Sequence, residues 1–287
     1  MRAVIVGASG GLGRCIATGL GGEDDQLALL ARRQDRLESA AAEAAAGKGA
    51  IPIPCDVTDE ASCRDAIDRA AEAMGGIDGL VYAAGVGPLA RLKDTHAETW
   101  RNIFDTNVIG ASLVTTAAVD HLTESSGTAV YLTSVSASQT PPWPGLGAYA
   151  VSKAALDKLV DAWRGEHPAV GFTRLVVGEC GGGPGDAMSE FAAGWDLDLA
   201  AAVVPTWIER GYMTGALMDV AQLISAVDRI LRLDPTVGIP SLTVAPRLVV
   251  PDVFPSKETI EAAHAATETV AAAHAAAEAE AEADEQA

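Results

Sequence analysis

The sequence predicts a single doubly wound α/β domain, a parallel sheet with helices on both faces in three α/β/α layers, followed by a charged tail. Three observations carry this. Short aliphatic runs alternate with longer helix-like stretches over the first 250 or so residues, the pattern of repeated βα units. Most of the runs are apolar throughout and do not alternate, as strands covered on both faces require. A glycine-rich turn, "VGASGGLG", stands between the first run and an apolar helical pattern.

In chain order the strand candidates are "AVIVGA" (3–8), "QLALLA" (26–31), "AIPIPCD" (50–56), "GLVYAAG" (79–85), "TAVYLTS" (128–134), "FTRLVVG" (172–178) and "SLTVA" (241–245). Helix patterns fill the intervals 11–22, 33–47, 59–74, 96–122, 149–166 and 219–233. No internal repeat and no linker interrupts them, so the domain is expected to span residues 1–253. Residues 254–287, ending "AEAEAEADEQA", are rich in Ala and Glu and offer no apolar face to bury. A frayed helix or disorder is expected there.

Composition narrows the function. A formal charge of −19 argues against a nucleic-acid partner, which calls for a basic stripe. No apolar run approaches the ~20 residues that span a bilayer. The start "MRAVIVGASG" enters a strand-like segment directly, without the features of an export signal, and a cytoplasmic protein is expected. Cys15, Cys55, Cys63 and Cys180 fit no zinc or CxxC spacing. They read as reduced structural thiols, and no metal site is expected.

The turn after the first strand places Gly7, Gly11 and Gly13 in the spacing GxxxGxG, with Ser9 and Leu12 between them. A strand-to-helix turn without Cβ atoms lets a dinucleotide pyrophosphate approach backbone N–H groups and the positive end of the helix, as in Rossmann domains. In such folds an acidic residue at the end of the second strand binds the ribose 2′-hydroxyl of NAD. Here "LLARRQDRL" offers Arg32 and Arg33, with no carboxylate until Asp35. An arginine fits a 2′-phosphate, so NADP is favoured and NAD is possible; alternatively, both arginines face solvent at a helix start. Asp56, followed by Val57 in "CDVTD", stands where an adenine amine would arrive. "YAAG" brings Ala83, Ala84 and Gly85 close to the cofactor.

In "GAYAVSK" Tyr149 precedes Lys153 by four residues, one face of a helix with Cβ atoms about 5–6 Å apart. A phenol beside an ammonium is either an acid–base device or an idle surface pair. Six motifs in register favour the device: the glycine turn, "DVTD" (56–59), "YAAG" (82–85), "DTNVIG" (105–110), "LTSVSAS" (132–138) and "YAVSK" (149–153). In order and spacing they resemble the short-chain dehydrogenase/reductase family over residues 1–180, and by general layout to about 250.

The resemblance implies an NAD(P)-dependent oxidoreductase acting on a secondary alcohol or ketone. Tyr149 would be the proton donor or acceptor, its pKa lowered by the charge of Lys153, which in the family also binds the nicotinamide ribose. Asn107 resembles the asparagine that holds a water linking that lysine to solvent. A serine would polarise the substrate oxygen. Aligning the fifth strand indicates Ser134, with extra residues taken up by the loop "QTPPWPG"; counting back from the tyrosine indicates Ser136. Where the family usually has PG and then a threonine touching the nicotinamide amide, this chain reads "VVGECGGGPGDAMSEF", with Gly178 at the proline position and Ser189 as a substitute for the threonine. Tyr82 and Ala83 replace the asparagines of the family's "NNAG". The family's lid over the substrate corresponds to 184–217, where Phe191, Trp195, Trp207 and Tyr212 either receive an apolar, ring-bearing substrate or pack the lid down. The long helices suggest a homodimer or homotetramer by the same analogy. A dinucleotide-binding regulator or scaffold without chemistry is the alternative, and it predicts damage to the Asn–Ser–Tyr–Lys set, which is intact here.

Overall fold

β1 (Arg2–Val6) lies inside a sheet of seven parallel strands, the order being β3-β2-β1-β4-β5-β6-β7. β2 (Gln26–Ala31) and β3 (Ala50–Pro54) continue on one side of it. β4 (Gly79–Tyr82), β5 (Thr128–Ser134), β6 (Gly171–Val177) and β7 (Ser241–Val244) continue on the other. The structure, a computed structural model, describes residues 1–181 and 189–247. The expected tail, the domain boundary at 253/254 and lid positions 184–188 lie outside the described residues.

Alternate residues of each strand feed two cores, which is why the strands are aliphatic throughout. On one face Val4, Val6, Leu30 and Tyr82 pack with α3 (Glu60–Met74), α5 (Gly110–Ser125) and α7 (Gly147–Glu166). On the other, Ala3, Ile5, Leu29 and Val81 pack with α1 (Gly11–Gly19), α2 (Gln34–Glu43) and α10 (Val220–Leu231). The remaining helices are α4 (Ala97–Phe104), α6 (Val135–Ser138), α8 (Ser189–Ala192) and α9 (Leu197–Glu209). With Trp143 and Leu146, α9 builds a third apolar cluster around Val203 and Trp207. Asp59, Asp196 and Asp219 cap α3, α9 and α10 through their carboxylates, each satisfying N–H groups that a helix start leaves open.

The boundaries differ from the sequence reading where function lies. β1 ends at Val6 and β4 at Tyr82, so Gly7–Ala8 and Ala83–Gly85 are loop instead of strand. The stretch read as one helix, 96–122, is α4 and α5 joined by a π-helical turn over Asp105–Ile109. Sequence periodicity assigns no helix to the lid, whereas the structure has α8 and α9 there, the latter containing Pro205.

Gly178 shows why a glycine replaces the proline expected after β6. Its N–H donates to the Val244 carbonyl at 2.8 Å, a bond proline cannot make. A Cβ at this position would lie 2.7 Å from the Ala245 Cβ. The exchange therefore lets β7 and the segment after it close against the loop. Gly178→Pro is expected to lower the free energy of unfolding by about 1 kcal/mol or more, from the lost backbone hydrogen bond and the crowding against Ala245. Urea denaturation checks this, and an unchanged midpoint would contradict it.

Candidate active site

The order of the sheet reverses between β1 and β4, and their C-terminal ends diverge there, the place where α/β sheets bind ligands. A cleft of about 820 Å³ opens at that point, running from the glycine turn past Tyr149 to the lid. The turn is built by close packing. Gly7 has φ +87°, and a Cβ on it would lie 2.6 Å from the Ala84 nitrogen; a Cβ on Gly13 would lie 2.3 Å from the Gly7 oxygen. Ala83 and Ala84 therefore seat directly on the turn, and larger side chains than alanine would lift them off it. α1 starts at Gly11 without a side-chain cap, leaving its N–H groups and dipole facing the cleft.

Ser9, Leu12, Arg32, Arg33, Asp56, Val57 and Gly85 all line this half of the cleft. Arg33 donates from Nη2 to Ser9 Oγ at 3.2 Å. Arg32 is exposed and helps hold Asp56 below the usual carboxylate range, the larger causes being hydrogen bonds from the Thr58 backbone and hydroxyl. Those two bonds, 3.0 and 2.8 Å to Asp56 Oδ1, fix the carboxylate at the rim.

α7 buries Lys153 against β5, where Nζ donates to the Leu132 carbonyl at 2.8 Å. Nζ stands 5.9 Å from the centre of the Tyr149 ring. Gly85 makes room for it, since a Cβ there would lie 3.3 Å from Nζ and 3.4 Å from Asn107 Oδ1. Burial pulls Lys153 down to about 8, partly opposed by the charge of Asp157. Burial likewise pushes the Tyr149 phenol up to about 12, partly opposed by a hydrogen bond with Ser134. The upward shift is set by desolvation of the buried phenol, which the hydrogen bond with Ser134 opposes without bringing it back to the ordinary value.

Ser134 faces the phenol. Ser136 stands behind it, 2.9 Å from Ser134 Oγ, and donates its own N–H to that oxygen at 3.2 Å. Both candidates line the cleft. Asn107 sits fully buried in the π-helical turn. Its Oδ1 accepts from the Val86 N–H at 2.8 Å, and its Nδ2 donates to the Val86 carbonyl and to Ser152 Oγ, each at 2.9 Å. These bonds pin the loop after β4 to α7. Tyr82, in place of an asparagine, donates to the Thr106 carbonyl of the same turn at 2.6 Å.

The lid closes the other half. Phe191 meets the Tyr149 ring edge-on at 5.1 Å, and the series continues through Trp195, Trp207 and Trp143 at 5.5, 6.1 and 5.2 Å. The aromatics divide between packing and the cleft wall. Trp207 and Trp143 are buried packing residues, whereas Phe191 is 41% exposed and faces the cleft. Tyr212 packs at the margin of the third cluster and does not line the cleft. Ser189 opens α8, and its side chain lies outside the described residues. Cys180 lines the cleft as a thiol that burial pushes up to about 11, inert at neutral pH.

Sequence reasoning missed two residues. Gly87 leaves room for the Phe191–Tyr149 contact, since a Cβ on it would lie 2.5 Å from the Phe191 ring and 2.9 Å from Tyr149 Cδ2. Glu179 fastens the lid: its carboxylate accepts from the Thr214 N–H and hydroxyl, and its carbonyl accepts from the Met218 N–H at 2.9 Å. The position of Glu179 in the departure from the expected loop pattern was the available signal; Gly87 had none.

Residues 1–182 match the family model described as short chain dehydrogenase. An 11-beta-hydroxysteroid dehydrogenase-like protein of Arabidopsis thaliana is 36% identical over 179 residues, covering 61% of this chain and 57% of the relative. An 11-beta-hydroxysteroid dehydrogenase of Sesamum indicum is 31% identical over 179 residues, 61% of this chain and 51% of the relative. The matches thus span only a little over half the length of these relatives. Among solved structures, an alcohol dehydrogenase of Thermococcus sibiricus complexed with 5-hydroxy-NADP superposes with a TM-score of 0.69 and 26% identity, covering 88% of this chain and 98% of that one. The matched segment contains the glycine turn, the π-helical Asn107 and the Ser134–Tyr149–Lys153 cluster, and the chain belongs to the short-chain dehydrogenase/reductase family.

Proposed function

We propose that the chain is an NADPH-preferring oxidoreductase that reversibly reduces a neutral, ring-bearing ketone to a secondary alcohol. The observation that carries this reading is the meeting of Ser134, Tyr149 and Lys153 where the glycine turn ends and the aromatic wall begins. The dinucleotide half suits its ligand. The uncapped start of α1 would receive a pyrophosphate, Arg32 and Arg33 would hold a 2′-phosphate, and the space at Gly85 would let Lys153 reach a ribose. When bound, the nicotinamide supplies or accepts the hydride.

The side chains then have separate tasks. Ser134 donates a hydrogen bond to the substrate oxygen and holds it beside the phenol. Tyr149, protonated throughout the neutral range because burial raises its pKa, donates its proton to that oxygen as negative charge develops there. Lys153 contributes positive charge that favours the phenolate left behind.

Substrate class follows from what the lid half presents. Among the described residues, the charged side chain lining the cleft there is Glu179, which is engaged by Thr214. The indole N–H groups of Trp195 and Trp207 are committed to the Gly87 and Pro144 carbonyls, each at 2.9 Å. What remains is carbon surface, suited to rings without charge. The names of the hydroxysteroid dehydrogenase relatives and the NADP derivative in the solved neighbour agree with this reading. Self-association through the exposed Ile109 and Val151 belongs to the same proposal.

Paired titrations with NADPH and NADH, followed by a panel of cyclic ketones and charged keto acids read at the nicotinamide absorbance, test the whole reading. Turnover confined to the keto acids would overturn the substrate class. Tyr149→Phe is expected to lower turnover by about 10²–10⁴-fold, the usual worth of a positioned acid, while fluorescence titration finds NADPH affinity nearly unchanged. Arg32→Ala is expected to weaken NADPH by about ten-fold or more, the loss of a charge-assisted hydrogen bond, and NADH much less. Equal losses would remove the 2′-phosphate assignment.

A further inference from the structure

Tyr149, Lys153 and Asp157 follow one another at intervals of four along α7, one stripe of the helix turned toward β5 and β6. The first two belong to the site described above. Asp157 does not touch the cleft and has no role in the proposed chemistry, yet it is only 6% exposed. Its neighbours Leu156 and Val160 are ordinary core residues. A carboxylate here costs stability unless other charges and hydrogen bonds compensate it. The hydrogen bonds fall short: burial holds the Asp157 carboxyl above the usual carboxylate range, Thr133 on β5 opposes this from long range, and neither Asp157 Oδ1 nor Thr133 Oγ1 has a partner at normal hydrogen-bond geometry among the described residues.

The charged and titratable groups around Asp157 are few. α7 supplies Lys153 one turn before it and Asp161 one turn after. Among the described residues β6 supplies Arg174, whose Nη1 lies 3.5 Å from Asp161 Oδ2, and β5 supplies the Thr133 hydroxyl. The π-helical turn packed on α7 supplies Asn107, which is neutral and engaged with Val86 and Ser152. Lys153, itself 4% exposed, has one hydrogen bond among the described residues, to the Leu132 carbonyl. Asp157 is the anion acting on it.

We infer that Asp157 is a positioning residue for the oxidoreductase site, the buried counter-charge that keeps the Lys153 ammonium in place behind the phenol. This rests on the reading of Lys153 as the working cation of that site. Burial alone drives the ammonium toward its neutral form, and Asp157 opposes that. Without the carboxylate, Lys153 loses its charge within the neutral range, and its hold on a ribose and on the phenolate goes with it.

The test reads Lys153 directly, by titrating the ¹³Cε shift of the full-length chain labelled at its lysines, with Lys153→Arg assigning the signal. The wild-type midpoint is expected near 8. Asp157→Asn, nearly isosteric, is expected to lower the midpoint by about one unit or more, the effect of removing an opposite charge at this range. Asp157→Glu returns it toward the wild-type value. An unmoved midpoint in a folded Asp157→Asn chain refutes the role, and a change in unfolding temperature alone marks Asp157 as merely structural. In turnover, the alkaline limb of kcat/KM moves down with the midpoint. A shifted NMR midpoint in a chain that turns over none of the ketones leaves the inference standing and removes the oxidoreductase reading; turnover with an unshifted midpoint does the reverse.

Discussion

A lysine ammonium inside a protein must be given an acceptor, space and a counter-charge, and much of the layout around the cleft supplies these to Lys153. The acceptor is the Leu132 carbonyl at the C-terminal end of β5. The space comes from Gly85, where any side chain would press on Nζ and on Asn107. Asn107 in turn needs the wider turn of a π-helix to present its amide to Val86 and Ser152 at once. π-turns inside helices carry a cost and recur at functional sites. Here the cost is offset by holding the loop after β4, which carries Gly85, against the helix that carries the lysine.

A second constraint organises the opposite end of the cleft. Gly7, Gly13, Ala83 and Ala84 pack with backbone against backbone, leaving no room for a Cβ on either glycine. That closeness brings the α1 terminus to the sheet edge and joins the dinucleotide half to the catalytic cluster. The lid is fastened separately. Glu179 holds Thr214 and Met218, and Trp195 bonds back to the Gly87 carbonyl. The chain positions its aromatic wall with side chains that have no part in the chemistry.

Much of this was legible in the residues, for identifiable reasons. The strands were readable because both faces are buried, which forces runs such as "VIV" and "ALLA". Their ends were overread because Gly7–Ala8 and Ala83–Gly85 are as small and apolar as strand residues. Periodicity cannot tell a π-turn from α-helix, so the break at 105–109 was hidden; it arises from tertiary bonds to Val86 and Ser152. α9 escaped notice because its alanines and valines surround the helix and Pro205 interrupts it. Spacing alone put Lys153 near Tyr149, but only the folded chain shows that its charge is directed at Leu132. The sign of the phenol shift comes from burial, which spacing does not reveal.

That sign bears on the direction of the proposed reaction. The same burial raises the phenol and lowers the ammonium, so near neutrality the cluster holds a protonated phenol beside a cation not far from losing its charge. A phenol moved from 10 to about 12 is harder to use as a base by roughly 3 kcal/mol, at 1.36 kcal/mol per unit. It remains a fit donor to an alkoxide, which is far more basic. The cluster is therefore set to release a proton, and taking one back requires the lysine charge to be present when the phenolate forms. Above about 8 that charge fades, so rising pH does not simply convert the acid into a base. The Ser134 hydrogen bond also favours the phenolate and does not titrate over this range. Reversibility in this site then depends more on keeping Lys153 charged than on the intrinsic basicity of Tyr149.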